Sequence, residues 1–356
     1  MVDEIFPQFN YCVPIRMDTD KAKELVESVY GLKVGKITEL NTYYDRVFHV
    51  LCSKNIKNPH VATINEAGYV LKVLNAADSK ETDFVDAQNA IMNFLNRQGI
   101  TCPSPVINLH NSYYSLETLE NCDTEKHVVW LLIYQPGTIL SAKNLTKDLL
   151  LELGRRAANL GNLLRGFSHP GYDAHDNLWM LTNLPKLKPF TLAVKDLQKR
   201  NLVCDVILDF ENEVLANAGK LERGIIHGDF NLNNFVMDNT EEKITAIIDF
   251  GDSQKAFLIF ELTIALAHVI HHTQDIKIGR FVIEGYESVK KLSDFERNIL
   301  KTVVCARFVQ CLVMGTYNQC NDPKYVFELQ ETGWVVLENL WLTERSQLLR
   351  MWGLSP

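Results

Sequence analysis

Two short segments joined by a hairpin set the frame for this chain. The first is His227-Gly-Asp229-Phe-Asn-Leu-Asn-Asn234 and the second is Ile248-Asp249-Phe-Gly251-Asp252. Gly224 to Ile226 reads as a strand leading in. Phe235 to Met237, a turn at Asp238-Asn239-Thr240, and Ile244 to Ile248 connect the two. Asp229 and Asn234 stand five positions apart, and Asp249 follows Asp229 by twenty. That separation lets two neighbouring loops aim three oxygen ligands at one point, and oxygen donors suit a hard cation such as Mg²⁺. Phosphoryl transfer needs few protein groups: a carboxylate to orient the attacking hydroxyl, an amide and a second carboxylate for the cation, and a lysine on the phosphates. Alone, Asp229 could cap a turn, Asp249 could cap the next segment and Asn234 could be a plain turn residue. The joint spacing, which matches the kinase catalytic loop H-R-D-L-x-x-x-N, favours the chemical reading. His227 reads as a structural histidine bonded to backbone beside this loop rather than as a proton carrier.

The lysine lies upstream. Lys72 sits inside the apolar strand Tyr69-Val-Leu-Lys-Val-Leu74. Burying it is costly unless it meets an anion, so it is the candidate for a nucleotide's phosphates, with an edge lysine facing water as the plainer alternative. On the following helix Asp86 is its candidate acid partner, with Glu81 and Asp83 as substitutes; a solvated helix face is the competing reading.

The surrounding pattern has two parts. Asp18 to Tyr30 reads as a helix stopped by Gly31, followed by strands Lys33 to Leu40 and Arg46 to Cys52. Phe84, Ala87, Ile91, Phe94 and Leu95 recur at helical spacing over Thr82 to Gln98, with Gly99 closing that helix. Val128 to Tyr134 is a buried strand, and Pro136-Gly137 breaks the chain. Beyond it, Asn144–Phe167, Val203–Leu221, Leu258–His272, Ser293–Tyr317 and Asp322–Leu349 carry helical patterns. The expectation is an α+β chain, with residues 1–134 forming an N-terminal sheet lobe with a helix and residues 135–356 a mostly helical C-terminal lobe.

Composition excludes other classes. The 356 residues include 44 acids against 36 bases, a net charge of -8, which argues against a nucleic-acid binder that needs a basic face. The eight cysteines (12, 52, 102, 122, 204, 305, 311 and 320) form no C-x-x-C pair and are too sparse for a disulfide scaffold. They are expected to be reduced thiols of a cytoplasmic protein. The longest apolar stretch, Phe257 to Ile270, contains Glu261 and His268 and is too short and polar for a membrane span. The first residues carry no secretory pattern. Acids come early and Arg16 is the first base, against a mitochondrial address.

His-Gly-Asp-x-x-x-x-Asn plus Ile-Asp-Phe-Gly-Asp resembles the aminoglycoside phosphotransferase and choline kinase superfamily, from Val26 to about Leu340. Within it the chain is most similar to the hydroxylysine kinase branch. The segments that carry this are Leu25–Lys33, Gln88-Asn89 before Ile91–Leu95, Trp179–Pro185, Cys305–Met314 and Thr332-Gly-Trp334. The resemblance implies a two-lobed protein-kinase-like fold. It implies Asp229 as the base on the acceptor hydroxyl, Asn234 and Asp249 as Mg²⁺ ligands, and Lys72 on the phosphates. Ile133 to Gly137, including Tyr134, would be the hinge beside the base. The implied reaction moves the γ-phosphate of GTP to the 5-hydroxyl of hydroxy-L-lysine. Two departures stand out: Asn41 to Arg46, the nucleotide loop, has no glycine, and Asp86 stands where the family usually has Glu, one methylene short of Lys72.

A hydroxylysine site should pair acids with the two amines and an arginine with the carboxylate. Asp252, Glu261 and Asp176 are the candidate acids, and Arg307, which interrupts an apolar helix, is the candidate for the carboxylate. The plainer readings are a helix brace for Glu261, a structural ion pair for Arg307 and core packing for Trp179 and Trp334. A choline, homoserine or aminoglycoside kinase using ATP is the nearest alternative, and a catalytically dead nucleotide binder is the next. A protein kinase is disfavoured because no Ala-Pro-Glu follows Gly251 before Glu261. The expected partners are a nucleoside triphosphate and a small amino alcohol, without nucleic acid or membrane.

Overall fold

The computed structural model describes residues 15, 17–40, 42, 45–119, 125–322, 325–327, 329 and 332–354. Cys12, Arg16, Cys122 and half of the proposed nucleotide loop (Asn41, Tyr43 and Tyr44) lie outside the described residues. The chain divides into two compact units. The first comprises Met1–Gly137 with His169–Gly171 and Ala246–Ile248; the second comprises Thr138–Ser168, Tyr172–Thr245 and Asp249–Pro356.

In the first unit, Asp18 caps helix α1 (Thr19–Tyr30), its side chain accepting from Lys21 N–H at 2.8 Å. Gly31 ends α1 at φ +63°, a left-handed conformation that glycine takes without strain. Strands β1 (Leu32–Leu40), β2 (Arg46–Ile56) and β3 (Tyr69–Val73) follow, then helix α2 (Thr82–Arg97) and strands β4 (Tyr114–Thr118) and β5 (Lys126–Ile133). They form one antiparallel sheet in the order β1-β2-β3-β5-β4. Alternation on β3 sends Tyr69, Leu71 and Val73 into a core with Phe48, Leu131 and the Leu25, Val26 and Tyr30 face of α1. Lys72, in register with Val47 and Trp130, therefore stands on the opposite face and is only half-buried. The sequence pattern missed β4, which shows little alternation of buried and exposed positions.

The second unit is mostly helical. Its strands are short: β6 (Thr138–Ile139), β7 (Arg223–Ile226), β8 (Phe235–Met237), β9 (Ile244–Ile247) and β10 (Gln254–Phe257). Its helices are α3 (Lys147–Leu164), α4 (Leu197–Asp209), α5 (Ile259–Thr273), α6 (Gly279–Glu287), α7 (Asp294–Asn321), α8 (Thr332–Leu342) and α9 (Arg345–Met351). Two expected helices change. The one placed over Val203–Leu221 begins at Leu197 under an Asp196 cap and gives way after Asp209 to looser turns, non-helical at Asn217. The single helix expected over Asp322–Leu349 is two, because extended Glu344 caps α9 by accepting from Gln347 N–H at 2.9 Å. Among the described residues one helix, α7, is long and apolar enough to cross a bilayer, and 83% of that stretch is buried inside the protein. Ser293 and Glu296 start α7 with a reciprocal capping box.

Candidate active site

β7 ends at Ile226 and β10 begins at Gln254, and these two residues pair. The pairing sets the loop after β7 beside the loop before β10. Gly228 takes φ +80°, and a Cβ there would lie 1.9 Å from the Asp252 carbonyl oxygen. Only glycine allows this approach. Gly228→Ala is expected to cost at least about 2 kcal/mol of stability and most of the activity, because loop or neighbour must move; a thermal melt within 1–2 °C of wild type with full turnover would contradict it.

Glu261, in the first turn of α5, is only 2% exposed. Its Oε1 accepts the His227 N–H at 2.7 Å and its Oε2 the Gly228 N–H at 3.1 Å. Burial drives this carboxyl up to about 7, the two amides pull it down, and Asp229 adds to the rise. Both oxygens are thus committed to the loop backbone. Glu261 is a brace of the catalytic segment, which corrects its assignment to an acceptor amine. His227 is wholly buried, packs on Phe250 with ring centroids 4.7 Å apart, and accepts the Asp229 N–H at Nδ1, 3.3 Å.

Asp229 is gripped from two sides. Asn234 Nδ2 donates to its Oδ2 at 2.8 Å and to its backbone oxygen at 2.9 Å. Arg307 Nη2, from α7, lies 3.4 Å from its Oδ1. With Nδ2 spent on Asp229, the Oδ1 of Asn234 is the atom left for a cation. Asn231 caps the turn that presents Asn234, accepting the Asn233 N–H at 2.9 Å. Asp249 is exposed and held at φ +61°, a costly conformation for a non-glycine residue. Its Oδ1 accepts the Gly251 N–H at 3.3 Å. Ser253 donates to the Phe250 carbonyl at 2.7 Å, and the buried Tyr172 hydroxyl meets Ser253 at 2.9 Å, so this second loop is also pinned.

Other candidates settle differently. Asp176 is tied to Lys186 at 2.6 Å and to Asn183 at 2.5 Å. Burial raises its carboxyl, but those two hydrogen bonds outweigh it and hold the group below its ordinary value. It braces its own loop, a correction to its acceptor role. Trp334 is buried core with Lys199 over its ring, whereas half-buried Trp179 lies against the Arg307 guanidinium at 5.7 Å. In the first unit, burial raises the Asp86 carboxyl, with His169 opposing and Asp83 adding. Tyr134 spends its N–H on the Gly68 carbonyl at 3.1 Å and stacks on His49, and Gly137 turns at φ +143°. Gln310, not singled out by the sequence, accepts from Arg307 Nη1 at 2.8 Å. It is wholly buried, and a glutamine three residues after an arginine in an otherwise apolar helical run was the available signal.

Asp229 held between an amide and a guanidinium, with a second aspartate at positive φ on the adjoining loop, is an arrangement that phosphoryl transfer to a hydroxyl could use. The chain belongs to the phosphotransferase enzyme (APH) family, whose sequence model matches residues 52–297. It is 32% identical to the hydroxylysine kinase of Xenopus laevis over 354 residues, 94% of this chain and 93% of that one. Its fold is similar to that of amicoumacin kinase hAmiN, solved with AMP-PNP, Ca²⁺ and Ami. The TM-score is 0.64 at 14% identity, covering 96% of this chain and 95% of that one. The GDP complex of aminoglycoside 2'-phosphotransferase-IIIa gives a TM-score of 0.61 at 14% identity, covering 91% and 98%. The two-lobed, kinase-like α+β fold is thereby shown.

Proposed function

We propose that this chain transfers the γ-phosphate of GTP to the 5-hydroxyl of 5-hydroxy-L-lysine, giving 5-phosphohydroxylysine and GDP, with Mg²⁺. The observation that carries the chemistry is the double grip on Asp229, one oxygen held by Asn234 and the other facing Arg307. A carboxylate fixed this way can orient an acceptor hydroxyl and take its proton as the O–P bond forms. The acceptor rests on the likeness to a hydroxylysine kinase over nine-tenths of both chains, and the GTP donor on what the motif resemblance implies. A cytoplasmic location is part of the proposal, and the six described cysteines are free thiols.

The donor set fits a hard cation. Asn234 Oδ1 and the Asp249 carboxylate are oxygen ligands, and among the described residues no trio of His, Cys, Asp or Glu forms a protein-only cage. A cation that takes most of its ligands from phosphates and water suits such a pair. When bound, it neutralises charge on the donor's phosphate oxygens. Lys72 holds those phosphates and the Tyr134–Gly137 stretch flanks the base; the charges that act on Asp86 are those of His169 and Asp83, which corrects its pairing with Lys72. Lys72→Met is expected to raise the KM for GTP by about 10- to 100-fold, the worth of one charge-assisted contact; an unchanged KM would remove Lys72 from the donor site.

The test is a panel. Purified protein, GTP or ATP, and Mg²⁺ are incubated with hydroxylysine, choline, homoserine or an aminoglycoside, and nucleoside diphosphate release is followed. Release with hydroxylysine and GTP above all other pairs is the expected result. Equal or greater release with another acceptor or with ATP overturns that part of the proposal.

A further inference from the structure

We infer that Arg307 makes the acceptor site selective for hydroxyl compounds that carry a carboxylate, and excludes their carboxylate-free counterparts. The inference deepens the proposed function and rests on it for the location of the acceptor. Arg307 is 9% exposed, in the middle of α7, where a charge is costly without an anion. Its placement is fixed by neutral groups: Gln310 Oε1 takes Nη1 at 2.8 Å, and Gln310 in turn donates to the Leu178 carbonyl at 2.8 Å. Trp179 covers the guanidinium.

The only acid within ion-pair range among the described residues is Asp229, at 3.4 Å and through a single oxygen. That is longer than the 2.7–2.9 Å of a charge-assisted bond and lacks the paired geometry a guanidinium offers a carboxylate. Burial opposes the charge, yet Cys311, Asp229 and Asp252 favour it, so the group stays cationic. Of the five N–H donors of a guanidinium, Gln310 and Asp229 engage two. The small cavity beside it, about 30 Å³, is lined by Ile264, Ala267, His268, Phe308, Cys311 and Leu329 and holds no anionic side chain. A fixed, buried, under-neutralised cation beside the catalytic base therefore favours an acceptor whose anionic group lies a few carbons from its hydroxyl. The same cation repels an acceptor that is wholly cationic.

The experiment compares 5-hydroxylysine with its decarboxylated counterpart, 1,5-diaminopentan-2-ol, and homoserine with 3-aminopropan-1-ol, in wild type and in Arg307→Gln. Wild type is expected to prefer the carboxylate member of the pair it turns over by at least about tenfold in kcat/KM, the value of a charge-assisted contact. Arg307→Gln loosens the hold on Asp229 and lowers kcat for both members, and on top of that common loss the preference collapses because KM rises for the carboxylate acceptor and not for its counterpart. A preference that survives in Arg307→Gln overturns the inference. So does an equal fall in kcat for both members with both KM values unchanged, the signature of an arginine that only positions Asp229. If Arg307→Gln does not fold, Gln310→Met frees the guanidinium without removing its charge. It is expected to raise the KM of the carboxylate acceptor alone, and no change overturns the inference. Failure of the proposed function reads differently: hydroxylysine is not phosphorylated, and the homoserine pair still reports on Arg307.

Discussion

Asp229→Asn is expected to lower kcat by about 10²- to 10⁴-fold, the range for losing a positioned general base, while leaving nucleotide affinity within a few fold. The geometry gives the reason. One Asp229 oxygen accepts from Asn234 and the other faces the Arg307 guanidinium. An asparagine can still accept from Asn234, but its amide nitrogen then confronts Arg307 and offers no lone pair to the hydroxyl proton. The donor's phosphates are assigned to other groups, so their binding is spared. Rapid-quench turnover alongside calorimetric GTP titration measures both quantities. Turnover within threefold of wild type, or a large loss of GTP affinity with unaltered kcat, would contradict the assignment.

Glu261→Ala is expected to be the most destabilising change near the site. It strips the His227 and Gly228 amides of their acceptors inside the protein, and each buried unsatisfied donor costs about 1–3 kcal/mol. Relief of a buried carboxylate offsets part of this. Glu261→Gln keeps one acceptor and should fall between. The pH dependence has a definite sign. Burial raises this carboxyl from the ordinary 4.5 to about 7. Between those values the folded protein binds the proton more readily than the unfolded chain does. The contribution of Glu261 therefore declines as pH rises through this window and is lowest above about 7. Denaturant unfolding at pH 5, 6, 7 and 8 should show this decline in wild type and its absence in Glu261→Gln. Parallel profiles for the two proteins would refute the buried-brace account.

The parts legible in the sequence were those with local causes. Asp18 and Gly31 mark the ends of α1 chemically, and the alternation of β3 announces Lys72 as the odd residue in an apolar run. Asp229 and Asn234 meet as their spacing suggested, and the β7–β10 pairing sets the loop that carries Asp249 beside theirs. What the sequence hid depends on contacts distant along the chain. β10 is four residues, Gln-Lys-Ala-Phe, with no strand signature until it pairs with β7. That pairing makes Gly228 indispensable. Glu261 resembles an ordinary first-turn acid, and only the fold turns it onto amides more than thirty residues earlier. Arg307 was visible as an anomaly in an apolar helix. Its contact with Asp229, 78 positions away, and its Gln310 anchor needed the packed second unit. Asp176 shows the opposite error: an acid placed near the site by sequence order is consumed by Lys186 and Asn183.

A ³¹P spectrum of the reaction run in ¹⁸O-labelled water, with GTP, Mg²⁺ and 5-hydroxylysine, would tell most directly whether the acceptor's hydroxyl, and not water, is the nucleophile. The account predicts a phosphomonoester on the amino acid, free of ¹⁸O, in step with GDP. Labelled inorganic phosphate as the sole product, or an untouched GTP signal, would contradict it.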